Sequence, residues 1–194
     1  WTDLVADPLS PSFDRSMAWS GRELILFDHE LVANPGSERP SLVRAAALNL
    51  ATGTWRRLPD SEVLGGPWFL VDGKLVNPML GGADGGEVNN WGRTYPNGGV
   101  LDPATGEWSA LPHAPGGKDT FSAGIRTSDG GHYIGYHSWI LDAPTSTWLN
   151  LPSIPGDESA QGRTAVAAGS ELLVFGGTRW NELTGTLRND AWPW

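Results

Sequence analysis

LNLATGTWRRLP, Leu48 to Pro59, aligns without a gap with LDPATGEWSALP, Leu101 to Pro112, and with LDAPTSTWLNLP, Leu141 to Pro152. Each copy opens on Leu, turns through small residues at its centre, places a Trp two residues later and ends on Leu-Pro. The three Trp residues are Trp55, Trp108 and Trp148. A repeat of this kind marks an architecture in which one supersecondary unit is used several times, each burying its apolar face against the next. The spacing between the Trp residues is uneven, so the turn is kept while the segments joining the turns vary in length.

Between these turns lies a second set of matches. RSMAWSGRELILF (Arg15 to Phe27) lines up with RTAVAAGSELLVFGG (Arg163 to Gly177), and a weaker copy reads WFLVDGKLV (Trp68 to Val76). In each, two apolar stretches flank a turn containing Gly, which predicts a β-hairpin. No window sustains a helical i, i+3, i+4, i+7 pattern without a Gly or Pro breaking it. The chain therefore reads as all-β. Its 26 Gly, 15 Pro and 11 Trp in 194 residues suit many short strands, tight turns and large flat side chains between sheets.

These residues resemble the kelch repeats: an Arg-led first strand, a second strand ending Phe-Gly-Gly at Phe175 to Gly177, a third ending near Asp, and a fourth carrying the Trp. The resemblance covers essentially the whole chain. It implies a kelch-like β-propeller of four four-stranded antiparallel blades in a single domain over 1–194. Blade 1 is expected over about 10–58, blade 2 over about 63–111, blade 3 over about 118–151 and blade 4 over about 160–194 together with 1–4. The last unit ends at its third strand, and WTDL, Trp1 to Leu4, reads as the end of a fourth. The expectation is that this N-terminal strand completes the last blade and hides two sheet edges, so that the four blades either close as a monomeric ring or form part of a larger propeller. Two departures stand out. A Gly-Gly doublet follows the second strand cleanly only at Gly176 and Gly177, and blade 1 has Asp28 and His29 there instead.

The charge balance, 13 Lys and Arg against 22 Asp and Glu, repels phosphate backbones and anionic lipid, and no local basic patch overrides it. Nucleic acid is not an expected partner. There is no Cys, which excludes disulfides, thiol nucleophiles and thiolate metal sites. No apolar run is long enough to span a membrane as a helix and no leader-like segment opens the chain, while a first residue of Trp1 rather than Met implies a processed, excised or fragmentary chain. The Asp-Pro-Ala-Thr-Gly turn and the Trp-Ser-Gly-Arg-Glu-Leu hairpin resemble kelch sequences of exported bacterial proteins, implying an extracytoplasmic location.

In an up-and-down meander successive turns alternate between two faces. The 1–2 and 3–4 turns are short and share one face. The 2–3 loops and the linkers between blades share the other, and they are long and varied: Asp28 to Ser41, Gly81 to Gly99 and Gly176 to Leu187. Long loops gathered on one face of a rigid scaffold are where binding concentrates. The expected ligand-binding residues are Asn89, Asn90, Trp91, Arg93 and Tyr95 in one loop, Arg179, Trp180, Asn181 and Glu182 in another, and Arg15 and Arg163 at strand starts. Aromatics with adaptable polar groups suit recognition. Each has a plainer role too: Trp91 and Trp180 as loop caps, and the two Arg side chains as braces. The repeat Trp residues read as packing between blades.

Catalytic constellations are not found. His29, His113, His132 and His137 form no ligand motif with a carboxylate at metal spacing, so no metal or other cofactor is expected. The copper cofactor of kelch-like galactose oxidase needs a Cys that this chain lacks. Sialidase-type Ser-x-Asp boxes fail as well, since the nearest Ser-Asp-Gly, Ser128 to Gly130, has no accompanying Trp. Three readings remain. The first is a non-enzymatic module binding a protein, peptide or small ligand through the long-loop face. The second is a carbohydrate-binding or mutarotase-like propeller, and the third is a trimmed or engineered propeller with no ligand.

Overall fold

A computed structural model describes residues 3–11, 15–30, 42–63, 66–79, 94–114, 125–137, 139–150, 160–181 and 183–193. Among them are sixteen strands in four four-stranded antiparallel sheets. The first sheet is β1 (Arg15–Trp19), β2 (Leu24–Glu30), β3 (Leu42–Asn49) and β4 (Thr54–Ser61), paired in chain order. The second, β5 (Phe69–Val71), β6 (Lys74–Asn77), β7 (Gly99–Asp102) and β8 (Glu107–Ala110), repeats that order. So does the third: β9 (Ile125–Ser128), β10 (Tyr133–His137), β11 (Trp139–Asp142) and β12 (Thr147–Asn150). The meanders and hairpins expected from the repeat are therefore present, and β1 begins at Arg15 as read.

The fourth sheet departs from the other three. It holds β13 (Ala160–Gln161), β14 (Thr164–Ala168), β15 (Glu171–Asn181) and β16 (Thr184–Pro193). β14 pairs with the first half of β15 and β13 with Thr178 and Arg179, while β16 runs along the other edge from Leu173 to Asn181. All four of its strands thus come from residues 160–193. Of the segment expected to supply a fourth strand, Trp1 and Thr2 lie outside the described residues, and Asp3 and Leu4 are in no strand.

The chain forms two compact units, Trp1–Leu111 with the first two sheets and Pro112–Trp194 with the last two. In the first, strand alternation sorts the side chains onto opposite faces. Ile25 and Phe27 of β2 and Ala45 and Ala47 of β3 turn toward Leu75 and Leu101 of the second sheet. Leu26 and Ala46, one residue out of phase, face the other way and are covered by Leu9 and Trp55. The alanines of β3 let the sheets approach closely, and aromatics fill the space beyond them. Phe27 and Trp68 stack at 4.1 Å, with Trp108 against both. In the second unit Ile140, Leu172, Val174 and Ala165 make the corresponding contact.

Of the repeat Trp residues, Trp108 packs between the first two sheets as the packing argument expects, Trp55 covers Leu26 and Ala46 of its own sheet, and all three share one further bond. Trp108 Nε1 donates to the Pro59 carbonyl at 2.9 Å and Trp148 Nε1 to that of Pro112 at 2.8 Å. Trp55 Nε1 donates to Val5 at 2.9 Å. Pro59 and Pro112 each stand four residues after a repeat Trp, and Val5 stands four residues after Trp1. Val5 therefore occupies the place of those prolines in the repeat.

Candidate functional site

Of the residues expected on the long-loop face, Asn89, Asn90, Trp91, Arg93 and Glu182 lie outside the described residues. Tyr95 is half-buried and packs against the core of the first unit. Its ring lies so close to Gly99 that a Cβ there would sit 2.9 Å from Cδ1.

Arg15 is held on three sides. Nη1 donates to Asp7 Oδ2 at 2.9 Å, Nη2 donates to the Ser10 carbonyl at 2.6 Å, and Asp28 Oδ2 lies 3.9 Å from Nη2. The Arg15 hydrogen bond holds the Asp7 carboxyl below the usual aspartate range, against the opposing effect of burial. These contacts tie the N-terminal segment to the first sheet, the bracing arrangement. At the centre is Asp28, whose side chain is fully buried and is gripped by Arg44 from the facing strand through Nε and Nη2. In the sequence Asp28 stands out only as a departure from Gly-Gly, and nothing there marks Arg44 as its partner. Arg163, just ahead of β14, has its guanidinium 5.4 Å from the Trp192 ring centroid and acts on Asp190 of the Arg188–Asp190 ion pair.

Arg179, Trp180 and Asn181 come together on a different structure from the one expected. The stretch Gly176 to Leu187 is not a loop but a β-ribbon, in which Thr178 pairs with Leu187, Arg179 with Thr186, Trp180 with Gly185 and Asn181 with Thr184. The Gly176–Gly177 doublet, both at positive φ, makes a bulge where the register shifts, and the ribbon runs on beyond it. Alternation gives the ribbon two unlike sides. One carries Thr178, Trp180, Gly185 and Leu187; the other carries Arg179, Asn181, Thr184 and Thr186. The apolar side is open, with Trp180 55% and Leu187 82% exposed, and Leu183 at the turn 92% exposed. Trp180 leans on its cross-strand partner: a Cβ on Gly185 would stand 3.0 Å from Cζ3 of the indole. The ring is thus fixed from below by a residue that has no side chain.

Among the described residues no three His, Asp or Glu gather as a metal site, and no helix is long and apolar enough to cross a membrane. The geometry offers surface recognition: an aromatic platform on a hydrogen-bonded ribbon, with a cation and an amide on its reverse side.

No family model matches the chain. A Kelch-like protein of Aspergillus terreus, terF, is 29% identical over 133 residues, covering 59% of this chain and 28% of terF. The chain thus spans little more than a quarter of the curated relative it matches. Among solved structures, that of YjhT aligns over 100% of this chain and 72% of its own, with a TM-score of 0.51 and 17% identity. That likeness concerns the fold. The gapless Trp repeats, the four-stranded meanders and the relative all liken the chain to kelch-repeat proteins, and its four four-stranded antiparallel sheets are a fold of kelch-like β-propeller type.

Proposed function

We propose that the chain is a non-enzymatic recognition module that takes a protein, peptide or small ligand on the face carrying its 2–3 connections. The observation carrying this reading is the β15–β16 ribbon. Its outer side presents Trp180 and Leu187 to solvent on a backbone fixed by ladder bonds, with Arg179 and Asn181 on the reverse. Aromatic anchors held on regular elements lose little conformational entropy on binding and are over-represented at recognition hot spots. A carbohydrate ligand is the second reading, favoured by the indole that rests on Gly185 while more than half exposed. A flat apolar ring of that kind suits the C–H face of a sugar as well as it suits an apolar side chain.

The test is a peptide array and a glycan array probed with the wild-type chain and with Trp180→Ala. A ligand on one array, bound at least tenfold more weakly by the variant at unchanged far-UV circular dichroism and Tm, is the expected result. Which array responds separates the two ligand classes. Empty arrays, or binding indifferent to Trp180, would overturn the proposal and leave a propeller without a ligand on this face.

A further inference from the structure

On the face opposite the ribbon, where the short 1–2 turns lie, the second unit holds a groove of about 640 Å³ between its two sheets. That size falls within the range of small-ligand sites. Its floor is Ile140 and Leu172, which belong to the contact between the sheets, and Ala167 narrows it. The sheets are tied at this point by the Ala167 amide, which donates to Thr127 Oγ1 at 3.3 Å. Leu149 and Tyr133 line the opening, 44% and 47% exposed.

Two carboxylates line the groove, Asp129 from the 1–2 turn of the third sheet and Glu171 from the first position of β15 in the fourth. No Lys, Arg or His lines the groove, and neither carboxylate has an ion-pair partner among the described residues. Asp129 is built to stay ionised. Burial acts to raise its pKa, but the amides of Gly131, Tyr133 and His132, donating to Oδ1 at 2.9, 2.9 and 2.8 Å, and to a lesser degree the charge of the nearby His132 ring outweigh it and hold the carboxyl below the usual aspartate range. All three bonds fall on Oδ1, and Oδ2 takes none of them. An apolar slot lined by two unneutralised carboxylates, with a tyrosine ring at its mouth, is complementary to one kind of small molecule.

We propose that this groove binds a small organic cation, an ammonium group on an aliphatic or aromatic body. The body enters between Leu149, Ala167 and Leu172, and the ammonium stays between Asp129 and Glu171. The site is independent of the ribbon, lying on the other face.

Three probes of one shape test it by titration calorimetry at pH 7: 4-phenylbutylamine, 4-phenylbutanol and 4-phenylbutyrate. The amine is expected to bind saturably, the alcohol at least fivefold more weakly, and the acid not at all. Raising salt from about 50 to 500 mM should weaken the amine alone, because screening acts on the charge and not on the burial of the body. Asp129→Asn keeps an oxygen for the three amides, so it preserves the turn, and with Glu171→Gln it should lower amine affinity at least tenfold. Equal binding of amine and alcohol by the wild-type chain overturns the proposal whether or not the variants fold. So does saturable binding by none of the three, or a dimer by light scattering that takes up no amine, which would assign the groove to a second copy.

Discussion

Asp28→Ala removes the centre of the ion-pair cluster in the first unit, and its cost follows from the contacts. The carboxylate is fully buried and accepts from Arg44 at 2.7 and 3.2 Å on Oδ1 and 2.9 Å on Oδ2. Deleting one partner of a buried pair costs about 3–5 kcal/mol, because the surviving charge is left without compensation. The Arg44 side chain keeps 16% of its surface in contact with water and lies 3.3 Å from Ser10 Oγ, so the lower end applies. The loss should be about 3 kcal/mol, which at a urea m-value of about 2–3 kcal/mol/M lowers the midpoint by about 1–1.5 M. Urea titration followed by Trp fluorescence and circular dichroism reads this in the transition of the first unit. Asp28→Ala with Arg44→Met removes both charges and should recover at least half of the loss. A single-variant loss under about 1 kcal/mol, the value of an exposed pair, would refute the reasoning. So would a double variant no more stable than the single.

Three further outcomes are expected. Replacing Trp55, Trp108 or Trp148 by Phe keeps a ring but removes the Nε1 bond, costing about 1 kcal/mol for the bond plus lost area; Trp148, 5% exposed, should lower Tm most, and an unchanged Tm there would contradict the packing role. Gly98→Ala places a Cβ 1.9 Å from the Asn77 carbonyl oxygen and should cost about 3 kcal/mol or more, whereas Gly53→Ala, with nothing within 4 Å, should cost only the strain of its positive φ, about 1–2 kcal/mol. Asp7 has a folded pKa below its ordinary 3.8, so its contribution is complete above that value and is lost as pH falls through the lowered one; between about pH 5 and pH 2 the wild-type chain should lose more stability than Asp7→Asn, and parallel curves would exclude the tether.

The blade turns were legible because they repeat: three copies of one pattern fix where strands three and four meet, whatever separates the copies. Hairpins of strands one and two were legible for the same reason. The ribbon was not. Gly176–Gly177 followed by Thr and polar residues carries the composition of a loop, and only the bulge, which restores pairing beyond the doublet, turns it into strands. The Asp28–Arg44 pair was hidden differently. Its members face each other across β2 and β3, but the register depends on how many residues the connection consumes, and composition does not supply that number. The groove was beyond sequence altogether, since it is the space that two sheets leave between them.

The bonds of the repeat Trp residues suggest why this chain can vary its loops so widely. In Trp55-Arg56-Arg57-Leu58-Pro59 the first residue donates to a carbonyl behind it, and the last offers its carbonyl to Trp108. One short unit thus fixes two contacts. A slip of one residue in the fourth strand would turn the Trp to the other side of its sheet and withdraw the carbonyl as well, so both contacts reject it. Because the acceptor is backbone, the residue supplying it is free to change, which accounts for Val5 where Pro59 and Pro112 stand elsewhere. None of these atoms belongs to a 2–3 connection. Length and composition there can change without disturbing the contacts that set blade geometry, and it is at such a connection that this chain has built its ribbon.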